Sequence, residues 1–304
     1  MLQVSSDMVL SNLGLVPQAL VSGIFFGLVL ALVSAGLALI WGVADIINFA
    51  HGEYLLIAMY ATIVVSGRLG LDPLYLVPIN AGLLFICGYI TYRLVIKRAM
   101  EGPMLAQIFS TFALLLILRY GIFFIFGPSA RSVDKFMFDG TSIINGIVIS
   151  HPRVITAIVS LIALGMLALV LKQTKTGQAI RAVEQDREVA QAMGVDTDRT
   201  LAITWGLGMA AVGIAGTLVI TFEAAQPTAT PTTWTILAFA AVALGGFGEV
   251  YSAAIGGIII GIVEHVGPVL LNPSFTELYV FVVFILVLLL KPEGIINVGD
   301  SDAV

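Results

Sequence analysis

Of the 304 residues, 59% are hydrophobic and only 11% charged, where a soluble domain carries about a quarter charged residues. With a mean hydropathy of +1.05, this excludes an ordinary water-soluble globular chain. The net charge of −5 says little, and the single cysteine, Cys87, excludes an intrachain disulfide or a multi-cysteine metal site. Three widely spaced histidines supply no ligand cluster either.

Apolar runs long enough to cross about 30 Å of hydrocarbon as helices recur throughout, too long and unbroken for barrel strands. The expected fold is an all-α polytopic membrane protein, one domain over residues 1–304, with about eight or nine transmembrane helices and broken or re-entrant segments. Residues 1–17 carry no Lys or Arg, so they lack the basic start of a cleaved signal peptide and read as a lead-in. The first span covers about 18–41, with Gly23, Gly27, Ala31 and Ala35 in a stripe of small residues suited to close helix packing.

Residues 42–53 then place four polar or ionisable side chains, Asp45, Asn48, His51 and Glu53, within nine positions between apolar runs. Ionisable groups are expensive in a bilayer and persist where they face a water-filled path, a partner or a substrate. The alternative is a short cytoplasmic turn with a polar helix start. With about 100° per residue, Asn48 and His51 share a helix face while Glu53 points almost the opposite way. A helix start near 45–48 is expected, with Asn48 or His51 toward a translocation path and Glu53 paired with a neighbouring span or another subunit.

Further spans follow at about 54–66, 74–96, 104–126 and 154–171. Arg119 lies near one end of its span and reads as snorkelling to the interface. Residues 127–152 form a polar connection, and 174–200 is the one extended hydrophilic segment. It reads as two short amphipathic helices, with Ala179, Ile180 and Val183 on one apolar side and Val189, Ala190 and Met193 on the other. Asp186 caps the second helix and Gly194 ends it. A span at 201–222 precedes a Thr-Pro-rich loop, and the run 234–271 is interrupted at Leu244-Gly245-Gly246-Phe247-Gly248-Glu249, so it divides in two. A last span covers 275–290.

Basic residues at 97–98, 172–199 and 291 place those ends in the cytoplasm, the N-terminus outside and the C-terminus inside. The breaks at 42–53 and 245–252 suit a midplane path of the kind transporters build from discontinuous helices. Glycine-lined helix packing accounts for the second break equally well. No Gly-x-x-x-x-Gly-Lys-Ser/Thr phosphate loop is present, so any ATP must be used by another chain.

Asn48-Phe49-Ala50-His51-Gly52-Glu53 resembles the signature of branched-chain amino-acid ABC importer permeases of the LivH type. Arg181-Ala182, Asp186, Ala190, Gly194 and Thr197-Asp198-Arg199 are similar to that family's ATPase-contacting loop. So are Leu244-Gly245-Gly246-Phe247-Gly248 and the later Gly256-Gly257 and Gly261-Ile262-Val263-Glu264. Tyr251-Ser252 stands where the family usually has Pro-Gly, and Lys291 where Arg is common.

The resemblance covers about 18–292 and implies a non-enzymatic transport subunit of the cell (inner) membrane. It would work with a second permease, two cytoplasmic ATPases and a secreted substrate-binding protein, without cofactor, metal or nucleic acid. On that basis Asn48 and His51 are expected on the path, and Glu53, Gly245, Gly246 and Gly248 at packing or subunit contacts. Thr176, Gly177, Arg181, Asp186, Ala190, Met193 and Gly194 are expected at the ATPase contact. Permeases of urea or another small polar solute, a stand-alone proton-coupled transporter, a channel and a membrane scaffold are the rival readings.

Overall fold

The computed structural model describes residues 14–133, 136–246, 248–291 and 294. In chain order α1 is Val16–Ala44, α2 His51–Leu69, α3 Pro73–Met100 and α4 Met104–Phe126. A hairpin of β1 (Thr141–Ile144) and β2 (Ile147–Ser150) follows, then α5 (His151–Gln173), α6 (Lys175–Gln185) and α7 (Arg187–Ala192). The chain continues through α8 (Thr197–Val219), α9 (Ala229–Gly245), α10 (Val250–Leu270) and α11 (Thr276–Leu290). Among the described residues seven helices are long and apolar enough to cross a membrane, and α9 is a shorter apolar one. The chain is thus, as expected, a multi-pass membrane protein built of helices, the short hairpin apart; α2, less apolar, is not among the seven.

Two helices form the centre. From Val29 to Ile40 every residue of α1 is buried, as expected of a helix apolar on all sides. It packs against α10 along the predicted small-residue stripe. A Cβ on Gly261 would lie 2.4 Å from the Cα of Gly27, and one on Gly257 would lie 2.6 Å from the Cα of Ala31. On another face a Cβ at Gly36 would lie 2.6 Å from the carbonyl oxygen of Gly208, which brings α8 against α1. Between lipid-solvated helices there is little hydrophobic gradient, so association rests on such close contact and on interhelical hydrogen bonds. Asn80 supplies the latter: its Nδ2 donates to Thr62 and Thr217 hydroxyls, each at 2.8 Å, tying α3 to α2 and α8.

The structure departs from expectation in the polar connection, which contains the hairpin. Asn145 and Gly146 both have positive φ, 50° and 82°, the Asn-Gly turn that matches the twist of paired strands. The Gln18 side chain closes the other edge of β2, accepting from the Val148 N–H at 2.7 Å and donating to its carbonyl at 2.8 Å. α3 runs farther than expected. It passes through Pro78 and a wide turn at Tyr92–Ile96, and its end is held by Asp198 of α8, which pairs with Arg93 and, at 3.0 Å, with Lys97.

Glycine substitutions separate contact from composition. Gly261→Ala and Gly257→Ala are expected to lower stability by roughly 1–3 kcal/mol through overpacking, read as a lower melting temperature of the purified protein. Gly165→Ala on α5, where a Cβ meets nothing within 4 Å, is expected to leave the melting temperature unchanged or raise it.

Candidate functional site: a polar break inside the bundle

α1 ends at Ala44, where Asp45 adopts a left-handed conformation and its N–H bonds the Trp41 carbonyl. Residues 45–50 are non-helical and α2 starts at His51, later than the expected 45–48. The delay has a local cause. The Asn48 side chain accepts from the Ala50 N–H at 3.2 Å, an Asx turn that competes with helix. The Ile47 carbonyl bonds the Thr111 hydroxyl of α4 at 2.9 Å.

The break turns back into the bundle. His51 Nε2 donates to the Val33 carbonyl at 2.9 Å, and Val33 lies eleven residues, about 16 Å at 1.5 Å per residue, back from the end of α1. The N–H of Gly52 donates to the Thr235 hydroxyl of α9 at 2.9 Å. A Cβ on Gly52 would lie 2.1 Å from the Pro231 carbonyl oxygen, so glycine alone permits this approach. α2 therefore begins inside the bundle, where side chains of α9 and α4 meet the Gly52 N–H and the Ile47 carbonyl, as irregular backbone at membrane depth requires.

Asn48, His51 and Glu53 are all fully buried. Asn48 and His51 face the interior of this chain in this conformation. Four atoms of this region, Ser34 Oγ, Asn48 Nδ2, His51 Nδ1 and Glu53 Oε2, have no hydrogen-bond partner among the described residues. Glu53 points away from His51 and binds Arg119 of α4, with Oε1 at 3.0 Å from Nε and 2.5 Å from Nη2. Arg119 thus pairs within the bundle instead of snorkelling. Only the tertiary fold shows this, because 66 residues separate the partners.

The second break differs in kind. α9 ends at Gly245 and α10 starts at Val250, with Gly246 and Gly248 at φ 118° and 91°. The break lies at the end of the bundle: a Cβ on Gly42 would be 2.7 Å from the Gly248 carbonyl oxygen and 3.0 Å from Glu184 Oε1. Gly245 packs against the backbone of Ser252. Close packing of glycines against neighbouring backbone, one of the two readings of this break, is what the described residues show; Phe247 lies outside them.

At the same end α6 and α7 are locked down by their own sequence. Thr174 Oγ1 accepts from the Gly177 N–H at 3.0 Å and Asp186 accepts from the N–H groups of Glu188 and Val189, each at 2.9 Å. Gly194, at φ 89°, lets the Val195 N–H reach back to the Ala190 carbonyl. Ile180, Val183 and Ala190 are buried, and Gly177 lies against the Val170 and Leu171 carbonyls. Arg181 donates to the Leu171 carbonyl. Gly177, Arg181 and Ala190 therefore hold this segment to its own bundle, and Thr176 is half-buried. The outward apolar groups are Val189, 57% exposed, and Met193, 81% exposed. Of the apolar side read for the second helix, only Ala190 is covered.

The Glu53–Arg119 pair generates a test. Removing one partner leaves an uncompensated buried charge, which costs on the order of 3–5 kcal/mol. Glu53→Ala and Arg119→Ala are expected to lower the melting temperature sharply, while Glu53→Gln with Arg119→Gln recovers most of it. A double variant no better than the singles would mean the pair is not the relevant contact.

Comparison with known proteins places the chain in a family. A family model described as branched-chain amino acid transport system / permease component matches residues 19–290. The chain is 27% identical to the high-affinity branched-chain amino acid transport system permease protein BraD of Pseudomonas aeruginosa over 301 residues, covering 94% of this chain and 97% of that one. It is 27% identical to the corresponding LivH protein of Escherichia coli, with the same coverage. With the probable branched-chain amino acid transport permease protein LivH of Methanocaldococcus jannaschii the identity is 31% over 294 residues and 90% of each chain. No solved structure matches. The chain belongs to the family of branched-chain amino acid transport system permease components.

Proposed function

We propose that the chain is the membrane-spanning permease subunit of an ATP-driven importer for branched-chain or related amino acids, with the N-terminus outside and the C-terminus cytoplasmic. It forms half of the translocation path beside a second permease, receives substrate from an extracellular binding protein, and is driven by two cytoplasmic ATPases. ATP is used by those partners and the chain carries no cofactor of its own. Family membership over residues 19–290 carries the reading. The segment 174–199 supports the coupling: its helices are fixed to the bundle, yet Val189 and Met193 present uncovered apolar side chains.

The mechanism is alternating access. Closure of the ATPases pushes α6 and α7, and the bundle shifts between two packings. The polar break is the element that changes. Its start is held by single hydrogen bonds to α1, α4 and α9, so relative motion of those helices frees Asn48 and His51 to face the path between the permeases. The Glu53–Arg119 pair keeps α4 with α2 throughout.

Reconstitution tests this directly. Leucine uptake into proteoliposomes is expected only when permeases, ATPases, ATP and binding protein are all present; uptake by this chain alone would support a secondary transporter or channel. Met193→Asp with Val189→Asp is expected to reduce ATP-driven uptake about tenfold or more while the melting temperature is retained, because a charge replaces an apolar contact. Cysteines at Ser142 and Thr228 should be labelled from outside, and one at Arg187 only after permeabilisation. Outside labelling at Arg187 would overturn the orientation and the coupling together.

A further inference from the structure

A cleft of about 890 Å³ opens between α6, the ends of α1 and α5, and residues 248–251 at the start of α10. Its volume falls in the range of about 300–1,000 Å³ usual for small-molecule sites. Four charged side chains line it: Lys172 and Arg181 on one side of the charge balance, Glu184 and Glu249 on the other. Leu39, Leu171, Ile180 and Val250 supply an aliphatic wall. Lys172 carries three donors, and Arg181 keeps donors beyond the one that meets the Leu171 carbonyl. The two carboxylates face the same space. Burial and the like charge of Glu249 hold the Glu184 carboxyl above the usual range, so a cation between them would be favoured.

The pattern of paired anions, paired cations and an aliphatic surface is the complement of one chemical class. We propose that this cleft binds a free aliphatic α-amino acid from the cytoplasmic side, its ammonium at Glu184 and Glu249, its carboxylate at Lys172 and Arg181, and its side chain against Leu39 and Ile180. The inference rests on the importer reading and deepens it, because the occupant belongs to the class that the transporter delivers. Position gives the consequence. Lys172, Arg181 and Glu184 belong to the α5–α6 region, whereas Glu249 precedes α10, next to Gly248, which touches α1 at Gly42. A ligand that bridges them ties the coupling segment to the bundle in one packing. It therefore stabilises that packing over the other. The site is an inhibitory sensor of accumulated product.

The test uses the assembled transporter in proteoliposomes with ATP and graded unlabelled leucine enclosed, and labelled leucine with binding protein outside. Initial uptake should fall as lumenal leucine rises, while isovalerate, which lacks the ammonium, and isoamylamine, which lacks the carboxylate, leave it unchanged. Glu249→Gln and Lys172→Gln should keep parental uptake with an empty lumen but raise the half-inhibitory leucine concentration about tenfold or more, the scale of a lost charged hydrogen bond. Inhibition unaltered in both variants would overturn the site. So would inhibition by isoamylamine alone, which would mark a simple cation site. An ethanolamine phospholipid carries similar charges, so the assay is repeated in vesicles of phosphatidylglycerol and phosphatidylcholine only. If leucine has no effect in either vesicle, and activity instead follows phosphatidylethanolamine content and loses that dependence in Glu249→Gln, the occupant is a lipid headgroup and the proposal fails. Absence of any uptake from the assembled complex overturns the importer reading itself. Normal uptake indifferent to lumenal leucine overturns only this inference.

Discussion

Backbone-to-backbone contact along α1 is the constraint on which the remaining architecture depends. Lipid solvates leucine as well as a neighbouring helix does, so a bundle in hydrocarbon is held by how closely its helices approach and by the few polar bonds between them. Gly27 against Gly261, Ala31 against Gly257 and Gly36 against Gly208 seat α10 and α8 on two faces of one helix. α8 in turn carries α3, through the Asn80–Thr217 hydrogen bond at one level and the Asp198 ion pairs near its start. Helices with few such contacts, α4 and α11, remain largely exposed over their apolar windows.

A centre packed this tightly makes the polar break consequential. Where helix stops at Ala44 and restarts at His51, freed backbone groups are met by Thr111 of α4 and Thr235 of α9, and the His51 side chain reaches the Val33 carbonyl of α1. On the proposed mechanism, a small displacement of any one of these helices is felt at the start of α2. The route from the coupling segment is short. Glu184 of α6 and Gly248 both lie against Gly42 near the end of α1, and α1 is the helix whose carbonyl holds His51. Packed interfaces with two discrete arrangements transmit such displacements better than a continuously deformable one.

Much of this was legible in the sequence, for identifiable reasons. The helical, multi-pass class follows from composition, and the stripe at Gly23, Gly27 and Ala31 announced a close helix contact that α10 fills. Asp186 and Gly194 were readable as cap and stop because both act through bonds to their near neighbours. The Asn145-Gly146 pair was an equally local hairpin signal within a stretch read only as polar. What the sequence hid was tertiary. Arg119 looked like an interface anchor because its partner lies on another helix, and the glycines at 245–248 admitted helix packing and a midplane break alike because their neighbours, Ser252 apart, lie far off in the chain. The inward course of 45–50 depends on Thr111 and Val33, neither near in the chain.

The central claim is that the break alternates between sealed and open as the ATPases cycle. In a Cys87→Ser background, an Asn48→Cys transporter that retains uptake would be exposed to a membrane-impermeant thiol reagent, nucleotide-free and again after trapping with ATP and vanadate. The account predicts protection in one state and rapid labelling in the other, since Asn48 is fully buried in the packing described here. Equal protection in both states, with uptake intact, would contradict it and place the path elsewhere.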